Sequence, residues 1–399
     1  MTTTRARPAP ELSRARTAVV VAFAVNGLAF ASFISRTPAI RDALGLSSAQ
    51  LGLLLLCLSG GSIAGLPLSG PIVHKLGPGR TVLTGALSVA LGLALLVVGL
   101  VAGVVLPAAV GLVFTGLGSG IWDVAMNVEG ADVERRLGRS LMPRLHAAFS
   151  LGTVTGAGLG ALSAATGVPL AVQVIVVAAL VPVIVTVATR RFTAHVPAPV
   201  EERSAGSGTL AAWREPRTLL VGLMVLGFAF TEGSANDWLA VAFVDGYRTD
   251  QTLGAVGYGF FVVAMTFGRT FGGAALERFG RVAILRTMAV LGVAGLLLVL
   301  LGGSTPVALA GALLWGVGAS LGFPVGMSAA ADDPARAAAR VSVVSSIGYT
   351  AFLAGPPLIG LLAEHAGILH ALFVVLGALV LGLLASGAAR PLAATPEKD

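Results

Sequence analysis

Three carboxylates stand where carboxylates are rare. Asp123, Glu232 and Asp237 lie inside long apolar runs, with Asn127 one helical turn after Asp123 and Asn236 one turn after Glu232. A charge inside a membrane span costs roughly 2.5–3.5 kcal/mol on insertion scales, so such groups mark a function that offsets the cost. Carboxylates beside amides can take up protons and hydrogen-bond a polar solute. The chain has only three asparagines, Asn26, Asn127 and Asn236, and all fall in such runs, as do His146 and Arg269. The pattern gives proton-coupling candidates at Glu232, Asp123, Asp237 and His146. It gives solute-binding candidates at Asn26, Asn127, Asn236 and Trp238.

Each group also has a plainer reading. Asp123 suits a gate or packing contact with His146, and Asp237 suits a rim position. The asparagines suit helix-to-helix hydrogen bonds, worth about 0.6 kcal/mol on average. Trp238 suits an interfacial anchor more than a stacking platform. Arg269 is read as joining a cytoplasmic latch with Glu277, in preference to neutralising a carboxylate.

The elements that must position these groups are helices. Of 399 residues, 56% are hydrophobic and 11% charged, against about 25% charged in soluble domains. Runs of about 20 apolar residues fit membrane spans. They fall at 17–36, 48–70, 81–101, 107–129, 142–165, 168–189, 217–243, 253–275, 283–303, 305–327, 341–363 and 367–388. The alternation of a membrane β-barrel is absent from the sequence. The single cysteine, Cys57, excludes an intrachain disulfide. The expected class is an all-α membrane protein with twelve transmembrane helices.

Of the 26 lysines and arginines, 22 fall in the tails and alternate connections. That asymmetry puts both termini in the cytoplasm and explains the formal charge of +7 without nucleic acid. The organisation reads as a cytoplasmic tail 1–16, a six-helix bundle 17–189, a linker 190–216, a second six-helix bundle 217–388 and a tail 389–399. The halves repeat: GPIVHKLG at 70–77 matches GAALERFG at 273–280. Two such bundles related across the membrane normal, with a solute site between them, are a transporter architecture. At 1.5 Å rise per residue, Asn26 and Glu232 fall near the midplane, while Asp123 and His146 fall near the cytoplasmic side of adjacent helices. Glu232 is the leading protonation site.

Gly273, Glu277, Arg278, Gly280 and Arg281 carry a loop signature that resembles the major facilitator superfamily. In the first half Gly70, Lys75, Gly77 and Arg80 fit it, with His74 at the acidic position. The resemblance spans essentially the whole chain and implies a cytoplasmic gate. That gate comprises His74, Lys75, Arg80, Glu129, Glu134, Arg135, Arg136, Arg139, Arg269, Glu277, Arg278 and Arg281, with the charges between 129 and 139 forming interfacial salt bridges. WDVAMNVEGADVERRLGR, RLHAAFSLG and EGSANDW are similar to a largely uncharacterised subgroup of bacterial inner-membrane permeases, distantly similar to fucose-permease-like proton symporters. The implied function is secondary active transport of a small polar solute, sugar-like or a related metabolite, by alternating access and coupled to protons. The rival is a proton-driven exporter of drugs or amphipathic metabolites. The expected partners are the solute, protons and the lipid bilayer of a bacterial cytoplasmic membrane. The expected state is a monomer, and neither cofactor, metal nor enzymatic activity is expected.

Overall fold

A computed structural model describes residues 10–138, 141–193, 210–333 and 336–391. Residues 1–9, Arg139, most of the linker (194–209) and the end of the C-terminal tail (392–399) lie outside the described residues. Every regular element among the described residues is helical. In chain order they are α1 Pro10–Ile34, α2 Thr37–Leu44, α3 Ser48–Ala102, α4 Val105–Leu137, α5 Met142–Ala165, α6 Leu170–Thr189 and α7 Pro216–Val241. After a π-turn at Ala242–Gly246 come α8 Gln251–Phe279, α9 Arg281–Leu301, α10 Thr305–Ala319, α11 Gly322–Ala330, α12 Ala337–Ala366, α13 Ile368–Ala371 and α14 Phe373–Ala385. Eleven helical stretches are long and apolar enough to cross a membrane.

One of the eleven is the 55-residue α3, which breaks at Gly77 with φ 75° and ψ 162°. Gly280, its counterpart in the sequence repeat, has φ 79° and ψ 160° between α8 and α9. Left-handed φ is cheap only for glycine, so the same residue serves the same reversal at both places. Helix α1 begins at Pro10, seven residues before the expected start of the first span.

The chain divides into two compact units, Met1–Leu46 with Leu53–Pro199 and Ser47–Gly52 with Val200–Asp399. Small residues set the helix spacing inside the first. A Cβ on Gly152 of α5 would lie 2.0 Å from the Ala24 carbonyl oxygen of α1, and one on Gly27 would lie 2.2 Å from that of Phe149. Between α3 and α4, Gly61, Gly65, Gly116 and Gly120 form a second close seam. Lipid removes the hydrophobic drive between helices, so this backbone-to-backbone packing holds them together. Within the second unit a core of Met224, Val225 and Phe228 of α7 meets Leu285, Leu321 and Leu379. The outward surfaces stay apolar, as at Val101, Leu106 and Leu384, each above 70% exposed. Apolar faces on that scale suit lipid and not water.

Candidate functional site

In the second unit the polar groups gather on α7, α8 and the break between α10 and α11. Glu232, Asn236 and Asp237 are the part-open positions along a mostly buried stretch of α7. Arg269 on α8 donates from Nη2 to both Glu232 carboxylate oxygens, at 2.8 and 2.7 Å. Its Nε donates to the Ser320 carbonyl oxygen at 3.2 Å. The chain chemistry of α11 explains that last contact. Pro324 has no N–H, so the Ser320 carbonyl four residues earlier lacks its helical donor. The helix breaks between Ala319 and Gly322, and Arg269 supplies the missing hydrogen bond. The Arg269–Glu277 latch expected from sequence is therefore corrected. The guanidinium points into the unit, while Glu277 and Arg278 are exposed, Arg278 lying over the Phe279 ring.

The buried Tyr258 donates its hydroxyl to Asn236 Oδ1 at 3.2 Å. Asp237 has no hydrogen-bond or ion-pair partner among the described residues. Trp238 is fully buried, with its indole N–H unpartnered and the ring tip against Gly360. That position corrects the interfacial placement, because a glycine opposite the ring lets a helix close over it.

In the first unit α4 carries the polar pair. Asn127 Nδ2 donates to the Asp123 carbonyl at 2.8 Å and reaches its carboxylate at 3.4 Å. Asp123 is exposed on an arc of α4 shared with Val113, Val128 and Ala131. Helix α4 runs from Val105 to Leu137, so it continues 14 residues past Asp123. Asn26 is buried, with its amide against the Met126 sulfur at 3.9 Å, a contact that joins α1 to α4. His146 lies edge-on to Phe23, centroids 5.4 Å apart.

The charges after residue 128 do not form one salt-bridge set. Arg135 and Arg136 both pair with Asp132, the latter at 2.7 Å. Glu129, 1% exposed, accepts from the Thr193 N–H and hydroxyl at 2.7 and 2.9 Å. Glu134 accepts the Leu141 and Met142 N–H groups at 2.6 and 2.7 Å. It thus satisfies donors that the start of α5 would leave orphaned. His74, Lys75 and Arg80 are exposed without an ion pair among the described residues. In the second unit Arg281 pairs with Asp332 at 2.6 Å, and Arg217 joins the same carboxylate at 2.8 Å.

Sequence reasoning missed Asp132, Asp332, Tyr258 and Ser320. Asp132 is three and four residues before Arg135 and Arg136, a helical ion-pair spacing that was readable. Pro324 marked Ser320 in the same way.

Residues 19–339 match the model of the Major Facilitator Superfamily. The chain belongs to that superfamily. This superfamily member is 32% identical over 363 residues to an uncharacterized transporter of Sinorhizobium fredii, covering 90% of this chain and 93% of the relative. It is 30% identical over 372 residues to an uncharacterized MFS-type transporter of Yersinia pestis, covering 91% and 92%. Among solved structures it is similar to a mutant of the nucleoside transporter NupG, with TM-score 0.77, 14% identity and coverage of 95% of this chain and 100% of that one. It is also similar to a variant of the E. coli fucose:proton symporter, with TM-score 0.66, 17% identity and coverage of 94% and 98%. The Major Facilitator chain is a transporter of a solute across a membrane, and not an enzyme.

Proposed function

We propose that this carrier moves a small polar solute, sugar-like or a related metabolite, by alternating access driven by protons. The observation that carries the reading is the contrast among three intramembrane carboxylates. Glu232 is balanced by Arg269, whereas Asp237 and Asp123 have no ion-pair partner among the described residues. An unpaired charge in a span is costly, and taking up a proton removes the cost. Asp237, one residue from the Asn236–Tyr258 hydrogen bond, is the assigned proton acceptor, with Asp123 second. Glu232, Arg269, Asn236 and Tyr258 present both donors and acceptors to a polyhydroxy solute, while Asn127 extends the polar set in the first unit. A fucose:proton symporter and a nucleoside transporter of the same fold support a sugar-bearing cargo.

The proposed topology is twelve spans, N-in and C-in, with α3 counted as two because it breaks at Gly77. The bundles 17–189 and 217–388 and a monomer in a bacterial inner membrane complete the reading, in line with bacterial relatives. Asp132 and Asp332, each holding two arginines, are assigned as the cytoplasmic ion-pair centres.

The test begins with a thermal-shift screen of monosaccharides and nucleosides on the purified chain. Uptake of the hit is then measured in proteoliposomes. Asp237→Asn is expected to lose uptake driven by a pH gradient while keeping counterflow exchange. Unchanged pH-driven uptake in that variant discards the assignment.

A further inference from the structure

The membrane face that carries the start of α1 also carries a cleft of about 510 Å³. Arg14 of α1, Arg136 of α4 and Arg190, Arg191 and Phe192 after α6 line it, with Glu11 the acidic group in the lining. Its size falls within the ~300–1,000 Å³ typical of small-molecule sites. The positive-inside tendency explains why arginines lie on this face. It does not explain why they converge from three helices onto one concavity.

The wall is built, not incidental. The segment after α6 is pinned to α4 by the bonds from Thr193 to Glu129, and by the Thr193 hydroxyl to Asp132 Oδ2 at 3.2 Å. Asp132 also orients Arg136 through Nε at 2.7 Å. Those acids serve the wall, and Arg14, Arg190 and Arg191 have no ion-pair partner among the described residues. Guanidinium forks match phosphate oxygens two at a time. Leu12 and Phe192 place apolar surface beside them, which suits a ligand with a charged head and a greasy continuation.

We propose that this cleft binds the phosphate headgroup of an anionic phospholipid in the leaflet that faces it. The inference rests on the chain lying in a membrane with its N-terminal face cytoplasmic, where anionic lipid draws basic groups. It does not depend on the solute or on proton coupling, so binding is read without transport.

The full chain, purified in a neutral detergent, is titrated with phosphatidylglycerol, with phosphatidylcholine of the same acyl chains, and with inorganic phosphate. Bound lipid is counted by native mass spectrometry and affinity is read by thermal shift. Phosphatidylglycerol is expected to bind and stabilise, and phosphatidylcholine is not. Arg190→Gln with Arg191→Gln is expected to weaken that binding on the order of 10-fold or more. Arg286→Gln with Arg390→Gln, an equal charge change at residues outside the lining, is expected to leave it unchanged. Equal binding by the two double variants overturns the proposal. Saturation by inorganic phosphate alone overturns the lipid assignment in favour of a soluble phosphate. Should the cleft pair fail to fold, Arg14→Gln at the exposed start of α1 is read instead, and unchanged affinity there overturns the proposal equally.

Discussion

The Arg269 guanidinium meets the Glu232 carboxylate at 2.8 and 2.7 Å and the Ser320 carbonyl at 3.2 Å. One cation thus balances a charge on α7 and satisfies a carbonyl freed by the break between α10 and α11. Removing one member of a buried pair strands the other, at a cost of about 3–5 kcal/mol. Here the side chains are 15% and 30% exposed, which reduces the figure to roughly 2–3 kcal/mol. Arg269→Gln and Glu232→Gln are each expected to lower thermal stability. The double variant is expected to recover more than half of the loss of Arg269→Gln. No recovery in melting temperature would return Arg269 to an independent role.

Asp123 and Glu134 separate transport from architecture. Asp123→Asn is expected to reduce pH-driven uptake by at least several-fold with little change in melting temperature. Glu134→Gln is expected to do the reverse, lowering thermal stability as the N–H groups at the start of α5 exchange a charged acceptor for a neutral one. Measuring uptake and thermal unfolding side by side checks both, and equal uptake in the two variants counts against a transport role for Asp123.

Two glycines of α5 are expected to differ sharply. A Cβ at Gly152 lands 2.0 Å from the Ala24 carbonyl oxygen, whereas one at Gly158 meets nothing within 4 Å. Gly152→Ala therefore forces α1 and α5 apart and should lower folded yield. Gly158→Ala should be neutral or slightly stabilising, since alanine is about 1 kcal/mol better than glycine within a helix. Size-exclusion profiles after extraction compare them directly.

Glu215, just before α7, gives a pH signature. Arg340 beside it, then Thr218 and Arg336, hold its carboxyl below the usual carboxylate range against the opposing effect of burial. A group lowered on folding contributes stability above its unfolded value of about 4.3, and that contribution fades as pH falls through the folded value. The melting-temperature gap between wild type and Arg340→Gln should therefore be full at neutral pH and shrink below about pH 4. A gap that widens on acidification contradicts this pairing.

Secondary structure, the apolar spans and the repeat were legible because each is local. Span length needs only apolar composition, and Gly77 and Gly280 declare the same turn in both halves because only glycine takes that φ cheaply. The carboxylates and amides were legible as anomalies of composition. What tertiary structure alone decided is which charge meets which. Arg269 lies eight residues before Glu277 on its own helix, yet its partner is Glu232 on α7, 37 positions away. Asp332 binds Arg217 and Arg281 across separate helices, and Trp238 is enclosed because Gly360 faces it. Helical period tells which residues share a face, but the rotation of each helix against its neighbours follows from packing of small residues along the seams, and that rotation chooses the partners.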